Sequence, residues 1–470
     1  MSKRMVVIGG DATGMSAAST ALRHAAEGEL EVVVLERGHY TSYSACGIPY
    51  WVSGHVPDRD QLIARTPEEH RESGIDVRMR TEATAIDLEK RTVSVRGVDD
   101  GDTDDLGFDE LVIATGAVPT VPRLEGADAQ GIFGVQSLEQ GEEIVEDLAR
   151  GGRSDGTGPA GHRRRAVVVG AGYIGVEMAE AMVMRGLETT IVDQAPEPFT
   201  QVDPDMGALI REAMEGMGIS VLTGVPVDGF DVGEDGHVRA VRAGDTVLPA
   251  DIVIIGLGVR PNTQLAADAG LTIGPSGGIV TDVRMQAAPG VWAGGDCVET
   301  HHRLSGKGVH IALGTHANKH GRIIGTNIAG GYGAFPGVIG TAISKVCSLE
   351  IGRTGLGAAE ADAAGFGYVC ATVESTTTAG YWPEAEEMTV KVLAEQRTGR
   401  LLGAQIVGRA GSGKRIDVFA TAIWNGMTVE EMTFMDLSYA PPFSPVWDAV
   451  LVAARKAAKE VQGAIPASPV

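Results

Sequence analysis

The sequence predicts an α/β protein with parallel sheets, and three observations lead to this prediction. Two glycine-rich turns, at residues 9–14 and 170–175, each follow a short apolar strand. Each turn precedes a helix of small residues and then a second strand that ends in an acid, Glu36 or Asp193. The chain has 470 residues, enough for two or three domains with large cores. A strand, a glycine turn, a helix and a strand ending in an acid predict a Rossmann-like dinucleotide-binding unit, here present twice.

The first turn contains three glycines, Gly9, Gly10 and Gly14, of which Gly9 and Gly14 are at glycine positions of a GxGxxG pattern. They permit a tight turn and close packing of the helix, whose N-terminus is expected to face a pyrophosphate. Glu36 can accept a ribose hydroxyl at the end of the next strand. The central glycine position of the GxGxxG pattern holds Asp11, whose carboxylate would repel a pyrophosphate unless it turns away or is solvated.

The second turn is an intact GxGxxG motif formed by Gly170, Gly172 and Gly175. Asp193, at the end of the following strand, suits the free 2′-hydroxyl of a bound NADH and would repel the 2′-phosphate of NADPH. We therefore expect NADH as the nucleotide of this unit, with NADPH as the alternative.

Two further segments have the pattern of cofactor contacts. A strand followed by a turn of small residues occurs at residues 108–116 and again at residues 290–296. In the second segment, Asp296 can hydrogen-bond a ribityl hydroxyl, and Gly295 allows the backbone to approach a flavin. The remaining candidate cofactor contacts are Arg37, Thr115, Gly116, Gly258 and Asp296.

Composition excludes several classes of partner. The net charge of −23 disfavours nucleic acid, and no apolar stretch approaches the length of a membrane span. The four cysteines are scattered without a CxxC motif, which favours a reducing, cytoplasmic compartment. His316 and His320 lie four residues apart, but residue 317 is alanine, so there is no HExxH motif and no metal is expected.

Cys46 is the candidate nucleophile. It precedes Gly47 and Pro49, which suits the first turn of a helix, where partial positive charge would stabilise a thiolate. Trp51 occupies the place of the second cysteine of a CxxxxC pair, so Cys46 has no local disulfide partner. Its redox chemistry must use a mixed disulfide or an oxidised sulfur.

Taken together, these motifs resemble the flavin-dependent pyridine nucleotide:disulfide oxidoreductases, in the single-cysteine branch of coenzyme A disulfide reductases and NADH oxidases. The motifs most specific to this family are the pattern around Cys46 and the sequence YAPP at residues 439–442. The resemblance implies an FAD-binding domain at 1–120 and 247–330 and an NAD-binding domain at 121–246. It further implies a C-terminal α+β dimerisation domain at 335–455, a tail at 456–470 and a homodimer.

The resemblance also assigns roles to residues outside the glycine turns. Tyr439 and its companion Tyr381 are expected to reach Cys46 from the partner subunit, where a phenol can hydrogen-bond a reacting sulfur. Ser42 is expected near the thiol and the substrate, and Arg23 at the coenzyme's phosphates. Ala45 departs from the pattern, because many coenzyme A disulfide reductases have asparagine there.

The implied reaction transfers electrons from NADH through flavin and Cys46 to a small disulfide, either coenzyme A disulfide or a per- or polysulfide. One alternative is an NADH oxidase that reduces oxygen through a sulfenic acid at Cys46. Oxidase and peroxidase members carry a histidine in the first turn where this chain has Ala12, which disfavours peroxide reduction. A third possibility is a redox-sensing flavoprotein with little turnover.

Overall fold

The structure is a computed structural model that describes residues 2–151 and 163–464. Strands and helices alternate through the first two thirds of the chain, and longer antiparallel strands follow. Residues 3–151 form β1 (Lys3–Ile8), α1 (Ala12–His24), β2 (Leu30–Leu35), α2 (Ile48–Ser53), α3 (Pro67–Glu72), β3 (Ile75–Arg78), β4 (Thr81–Asp87), β5 (Thr92–Gly97), β6 (Thr103–Gly107), β7 (Glu110–Ile113), β8 (Ala117–Pro119), β9 (Ile132–Gly134) and α4 (Leu138–Gly151). Residues 165–268 form β10 (Arg165–Val169), α5 (Tyr173–Met184), β11 (Glu188–Asp193), α6 (Pro204–Gly216), β12 (Ser220–Thr223), β13 (Val227–Val232), β14 (Val238–Ala243), β15 (Thr246–Pro249), β16 (Ile252–Ile255), β17 (Val259–Pro261) and α7 (Gln264–Asp268). Residues 286–464 form β18 (Gln286–Ala288), β19 (Val291–Ala293), β20 (Thr300–His301), β21 (Gly308–Val309), α8 (Gly314–Ile328), β22 (Ala342–Val346), β23 (Leu349–Gly355), α9 (Ala358–Ala363), β24 (Tyr368–Thr376), β25 (Glu387–Glu395), β26 (Leu401–Gly408), α10 (Ile416–Trp424), α11 (Val429–Met432) and α12 (Ala449–Ala464).

Two mainly parallel sheets each carry a glycine turn after a central strand. The first has the order β18-β19-β7-β1-β2-β3, in which β1 pairs in parallel with β2 and β7. The second has the order β12-β11-β10-β16-β9, and all its pairs are parallel. The central strands are apolar because helices cover both faces of such sheets, and Val6 and Val168 are fully buried. The predicted α/β fold class is confirmed.

The chain crosses between the two units through a short ribbon in which β8 pairs with β17. From the sequence we expect the chain to return to the first unit at residue 247, but in the structure it stays in the second unit until the end of β16. β16 pairs with β10 in the centre of the second sheet, so residues 247–255 belong to the second unit. The apolar strand Ile252–Ile255 is buried on both faces there, and this burial decides its place.

The C-terminal domain is an antiparallel sheet of order β22-β23-β26-β25-β24 with helices packed against it. The expected tail from residue 456 begins inside a helix instead, because α12 continues to Ala464. Ala453, Ala457 and Val461 form one buried stripe of this helix, and they belong to the core of the domain. Residues 465–470 lie outside the described part of the chain.

The segment that carries Cys46 joins the two dinucleotide-type units. Helix α2 follows Cys46 directly, and its Ile48, Trp51 and Val52 are buried in the same core as Val168 of the second sheet. The guanidinium of Arg185, after α5, also donates to the Val52 carbonyl. Cys46 is therefore held between the first unit, from which its segment comes, and the second unit, on which its helix packs.

Candidate active site

A cleft of about 2280 Å³ is lined by residues of both glycine turns. It lies at the carboxyl ends of the central strands, which is where open α/β sheets bind ligands. Cys46 and Asp296 share this cleft with both turns. The predicted residues that line it are Gly9, Gly10, Glu36, Arg37, Cys46, Thr115, Gly116, Gly170, Gly172, Asp193, Gly258 and Asp296.

The two glycine turns have the same local geometry. Gly9 and Gly170 have φ values of +107° and +98°, which favour glycine. A Cβ atom on Gly14 would lie 1.9 Å from the Gly9 carbonyl oxygen, and one on Gly175 would lie 1.8 Å from that of Gly170. Gly14 and Gly175 therefore do not line the cleft but allow each helix to approach its turn. Both turns fit a dinucleotide.

The two acids at the strand ends are held in equivalent positions. Glu36 accepts hydrogen bonds from the amide of Gly10 (2.8 Å) and from the amide of Gly38 (2.7 Å). Asp193 accepts hydrogen bonds from the amide of Ala171 (2.6 Å) and from the amide of Ala195 (2.7 Å). Each carboxylate is thus fixed at the rim of its turn, where its remaining lone pairs suit ribose hydroxyls.

Cys46 lies in a single helical turn, Ala45–Gly47, directly before α2. It is a free, solvent-exposed thiol on the wall of the cleft. The surrounding walls shield the sulfur partly from water, and this shielding, followed by the carboxylates of Glu177 and Asp296, raises the thiol pKa. The expected lowering by the helix is therefore outweighed, because α2 has only six residues and three acids surround the sulfur.

Two acidic residues of the cleft have unusual pKa values that sequence reasoning missed. Burial raises the pKa of Glu177 to about 7, and its carboxylate accepts a hydrogen bond from the Ser344 hydroxyl at 2.9 Å. Burial, and next the carboxylate of Glu36, raises the pKa of Asp11 to about 7. The signal for Glu177 was an acid within the apolar helix α5. Asp11 is the acid at the central glycine position of the first turn, and it lines the cleft.

Ser42 and Arg23 line a second cavity of about 800 Å³, which we call the arginine groove. Its walls also contain Arg65 and Arg322, which sequence reasoning did not single out. The hydroxyl of Ser42 is bonded to a histidine, described below, and no contact with the Cys46 thiol is seen. The groove adjoins the cleft, because the residues lining both are Asp11, Ala12, Tyr43, Ser44 and Asn318.

Tyr381 and Tyr439 do not line the cleft of their own chain. Their exposed fractions are 76% and 48%, and the Ala379 amide donates to the Pro441 carbonyl at 3.0 Å, which joins the two loops that carry them. They belong to an exposed apolar surface of the C-terminal domain. Its members are Tyr381, Phe434, Tyr439, Phe443, Val446 and Trp447.

A histidine of α8, His320, supports the turn that contains Asp296. His320 is buried, and its Nδ1 accepts a hydrogen bond from the Gly295 amide at 3.1 Å. Burial lowers the pKa of His320 to about 3, which keeps the ring neutral. Across residues 2–151 and 163–464, no group of three or more potential metal ligands occurs. No helix in the same residues is both long and apolar enough to cross a membrane.

These features define a class of protein: a redox protein with two dinucleotide turns and one reactive thiol in a shared cleft. Residues 3–321 match the family of pyridine nucleotide-disulphide oxidoreductases, and residues 341–450 match the dimerisation domain of that family. The chain therefore belongs to the pyridine nucleotide-disulphide oxidoreductase family. It is an oxidoreductase, and its dimerisation domain supports a homodimer.

Individual relatives cover nearly the whole chain. It is 35% identical to an NADH oxidase of Methanocaldococcus jannaschii over 97% of this chain and 99% of the relative. It is 37% identical to a CoA-dependent NAD(P)H sulfur oxidoreductase of Pyrococcus furiosus, over 96% and 98%. The structure of an NAD-dependent persulfide reductase from A. fulgidus matches with a TM-score of 0.92 and 38% identity, over 98% of this chain and 84% of that one.

Proposed function

We propose that this chain passes electrons from NADH through FAD and Cys46 to coenzyme A disulfide, or to a coenzyme A per- or polysulfide. The observation that carries this proposal is the position of the arginine groove. Asp11, Tyr43 and Ser44 line the groove and the cleft together, so the groove opens beside the segment that bears Cys46. A substrate with sulfur at one end and phosphates at the other suits this pair of cavities.

The charge of the groove supports a polyanionic substrate. Arg23, Arg65 and Arg322 have no carboxylate within 4.0 Å among residues 2–151 and 163–464. Three such cations are notable in a chain with a net charge of −23. Guanidinium groups bind phosphate oxygens through paired N–H donors, and the phosphates of coenzyme A would provide those acceptors.

FAD and NAD(P)H are the cofactors, and bound FAD supplies the two electrons that it receives from the nicotinamide. The Cys46 thiolate attacks one sulfur of the disulfide, a mixed disulfide forms, and one coenzyme A thiolate leaves. Overall, NADH, a proton and one disulfide give NAD⁺ and two thiols. Glu36 and Asp193 orient the riboses, and Tyr439 and Tyr381 of the partner subunit assist at the sulfur.

A second candidate is the reduction of oxygen to water by two NADH through a sulfenic acid at Cys46, because three similar proteins are named NADH oxidase. The arginine groove has no use in that reaction, so we favour the disulfide. A redox sensor would show little turnover with any acceptor. The free cysteines favour the reducing cytoplasm as the compartment.

The decisive measurements are NADH consumption under anaerobic conditions with coenzyme A disulfide and with pantethine, which carries no phosphate, and then NADH consumption with oxygen as the sole acceptor. Cys46→Ser should abolish disulfide reduction while NADH still bleaches the flavin. Arg322→Gln should raise KM for coenzyme A disulfide about 3- to 30-fold with little change for pantethine. Arg239→Gln, on the distant strand β14, removes the same charge as a control. Equal KM values for both disulfides in the wild type would contradict coenzyme A recognition.

A further inference from the structure

Ser42 is held in an unusual conformation beside the groove. Its φ is 51°, in the left-handed region that residues other than glycine rarely adopt. Its carbonyl accepts a hydrogen bond from the Ala64 amide at 2.8 Å, and its hydroxyl oxygen lies 2.9 Å from Nε2 of His70. Backbone and side chain are thus anchored separately, which fixes the hydroxyl at the wall of the arginine groove.

His70 is itself almost fully enclosed. It lies on α3 with 2% of its surface exposed, and its Nδ1 has no hydrogen-bond partner among the described residues. Burial, and next the guanidinium of Arg65, lowers the pKa of His70. The imidazole is therefore neutral near pH 7 and carries a single N–H.

The surroundings decide which nitrogen carries this hydrogen. A hydrogen on Nδ1 would leave a buried N–H donor without an acceptor, which proteins avoid more strongly than an unpaired acceptor. The hydrogen is accordingly on Nε2, and His70 donates to the Ser42 oxygen. The hydroxyl hydrogen of Ser42 then cannot point at His70, so it is available to an acceptor in the groove.

We propose that His70 is a positioning residue that fixes the Ser42 hydroxyl as a hydrogen-bond donor to the sulfur leaving the substrate disulfide. This inference rests on the proposed function, because it concerns the thiolate released when Cys46 attacks. In that step the bond from Cys46 to one substrate sulfur forms and the substrate S–S bond breaks. The electron pair of the broken S–S bond stays on the second substrate sulfur, which accepts the hydrogen bond from Ser42. This step uses no electrons from NADH, which are needed only when the mixed disulfide is reduced.

The leaving thiolate provides a specific test. An alkyl thiolate such as that of pantetheine or coenzyme A is strongly basic and gains from a donor, whereas the acidic aromatic thiolate of dithiobis(nitrobenzoate) leaves readily without one. We expect Ser42→Ala and His70→Leu to slow the single-turnover reaction of NADH-reduced holoenzyme with pantethine about 10- to 100-fold. The reaction with dithiobis(nitrobenzoate) should change by less than about 3-fold.

Further variants separate positioning from general damage. The double variant Ser42→Ala/His70→Leu should be no slower than either single variant, and His70→Gln, whose amide can donate, should recover most of the rate. His55→Leu is the matched control, because His55 forms a similar pair with the Ser53 hydroxyl (3.0 Å) outside the groove. If His70→Leu does not fold, Ser42→Ala and His70→Gln still decide the question.

Equal slowing of both disulfides, additive effects of the two substitutions, or no effect of Ser42→Ala would overturn the inference about His70. Failure of the wild-type enzyme to reduce coenzyme A disulfide would instead contradict the proposed function. The ratio of the pantethine rate to the aromatic rate tests His70 in either case, because neither probe needs the phosphate contacts of the groove.

Discussion

Arg415 and the buried Asp448 form an ion pair in the C-terminal domain that is largely shielded from water, with Nε and Oδ2 2.9 Å apart. Arg415 also donates to the carbonyls of Thr377 (2.7 Å) and Phe443 (2.9 Å). One guanidinium therefore ties together the two segments that carry Tyr381 and Tyr439. The surface that presents these tyrosines depends on a charge pair shielded from water.

Arg415→Met should lower the free energy of unfolding by about 2–4 kcal/mol, because it leaves the Asp448 carboxylate buried without its cation. Chemical denaturation measures this loss. Lys414→Met is the matched control, because Lys414 forms a solvent-exposed ion pair with Asp417. This substitution should lower the free energy of unfolding by less than about 1 kcal/mol. Similar losses in the two variants would show that the Arg415 pair has no special structural role.

Tyr439→Phe should reduce disulfide turnover by about 10- to 1000-fold, because it removes one hydroxyl donor while keeping the ring. The dimer and the flavin content should persist, and the rate of flavin reduction by NADH should hardly change. Stopped-flow absorbance separates the two half-reactions. Undiminished disulfide turnover would make Tyr439 a packing residue of the subunit interface.

Asp193→Ser combined with Gln194→Arg should move nucleotide preference toward NADPH. The carboxylate of Asp193 would repel the 2′-phosphate of NADPH. Its removal, together with a new guanidinium, should lower the ratio of kcat/KM for NADH to kcat/KM for NADPH about 10- to 100-fold. Glu36→Gln changes the equivalent acid of the first unit, so it should weaken FAD retention without altering this ratio. A wild-type enzyme that uses both nucleotides equally would contradict the role of Asp193.

Asp11→Asn should stabilise the flavin-free protein increasingly as the pH rises. Burial, followed by the charge of Glu36, raises the pKa of Asp11 to about 7. Between about pH 4 and 7 the folded state therefore binds a proton on Asp11 that the unfolded state does not. The wild type therefore loses stability through this window, and the variant should exceed it by about 2–4 kcal/mol at pH 8. Denaturation at pH 5 and pH 8 measures the difference. A gain that is the same at both values would exclude this titration.

The same variant should also alter affinity for FAD. An ionised Asp11 would face the pyrophosphate with a like charge, whereas the asparagine would not. Fluorescence titration of the flavin-free protein should show weakening FAD binding above pH 7 for the wild type and a flatter pH profile for Asp11→Asn. Identical profiles would show that the carboxyl does not face the cofactor.

The sequence by itself determined the features that depend on neighbours along the chain. The glycines of both turns, the acids Glu36 and Asp193 and the thiol of Cys46 could be identified because strand, turn and helix patterns are local. The fold class followed from the repetition of that pattern. The domain boundary at 247 and the tail at 456 were wrong, because β16 and α12 are placed by long-range burial rather than by local signals.

Only the tertiary structure decided which distant groups meet. The arginine groove combines α1, the segment after Ser42, α3 and α8, and no spacing in the sequence relates Arg23 to Arg322. Likewise, the pKa values of Asp11 and Glu177 depend on burial between elements, and the partner of Ser42 is a histidine on a separate helix. Desolvation and hydrogen bonding act through space, so these properties exist only once the elements have packed.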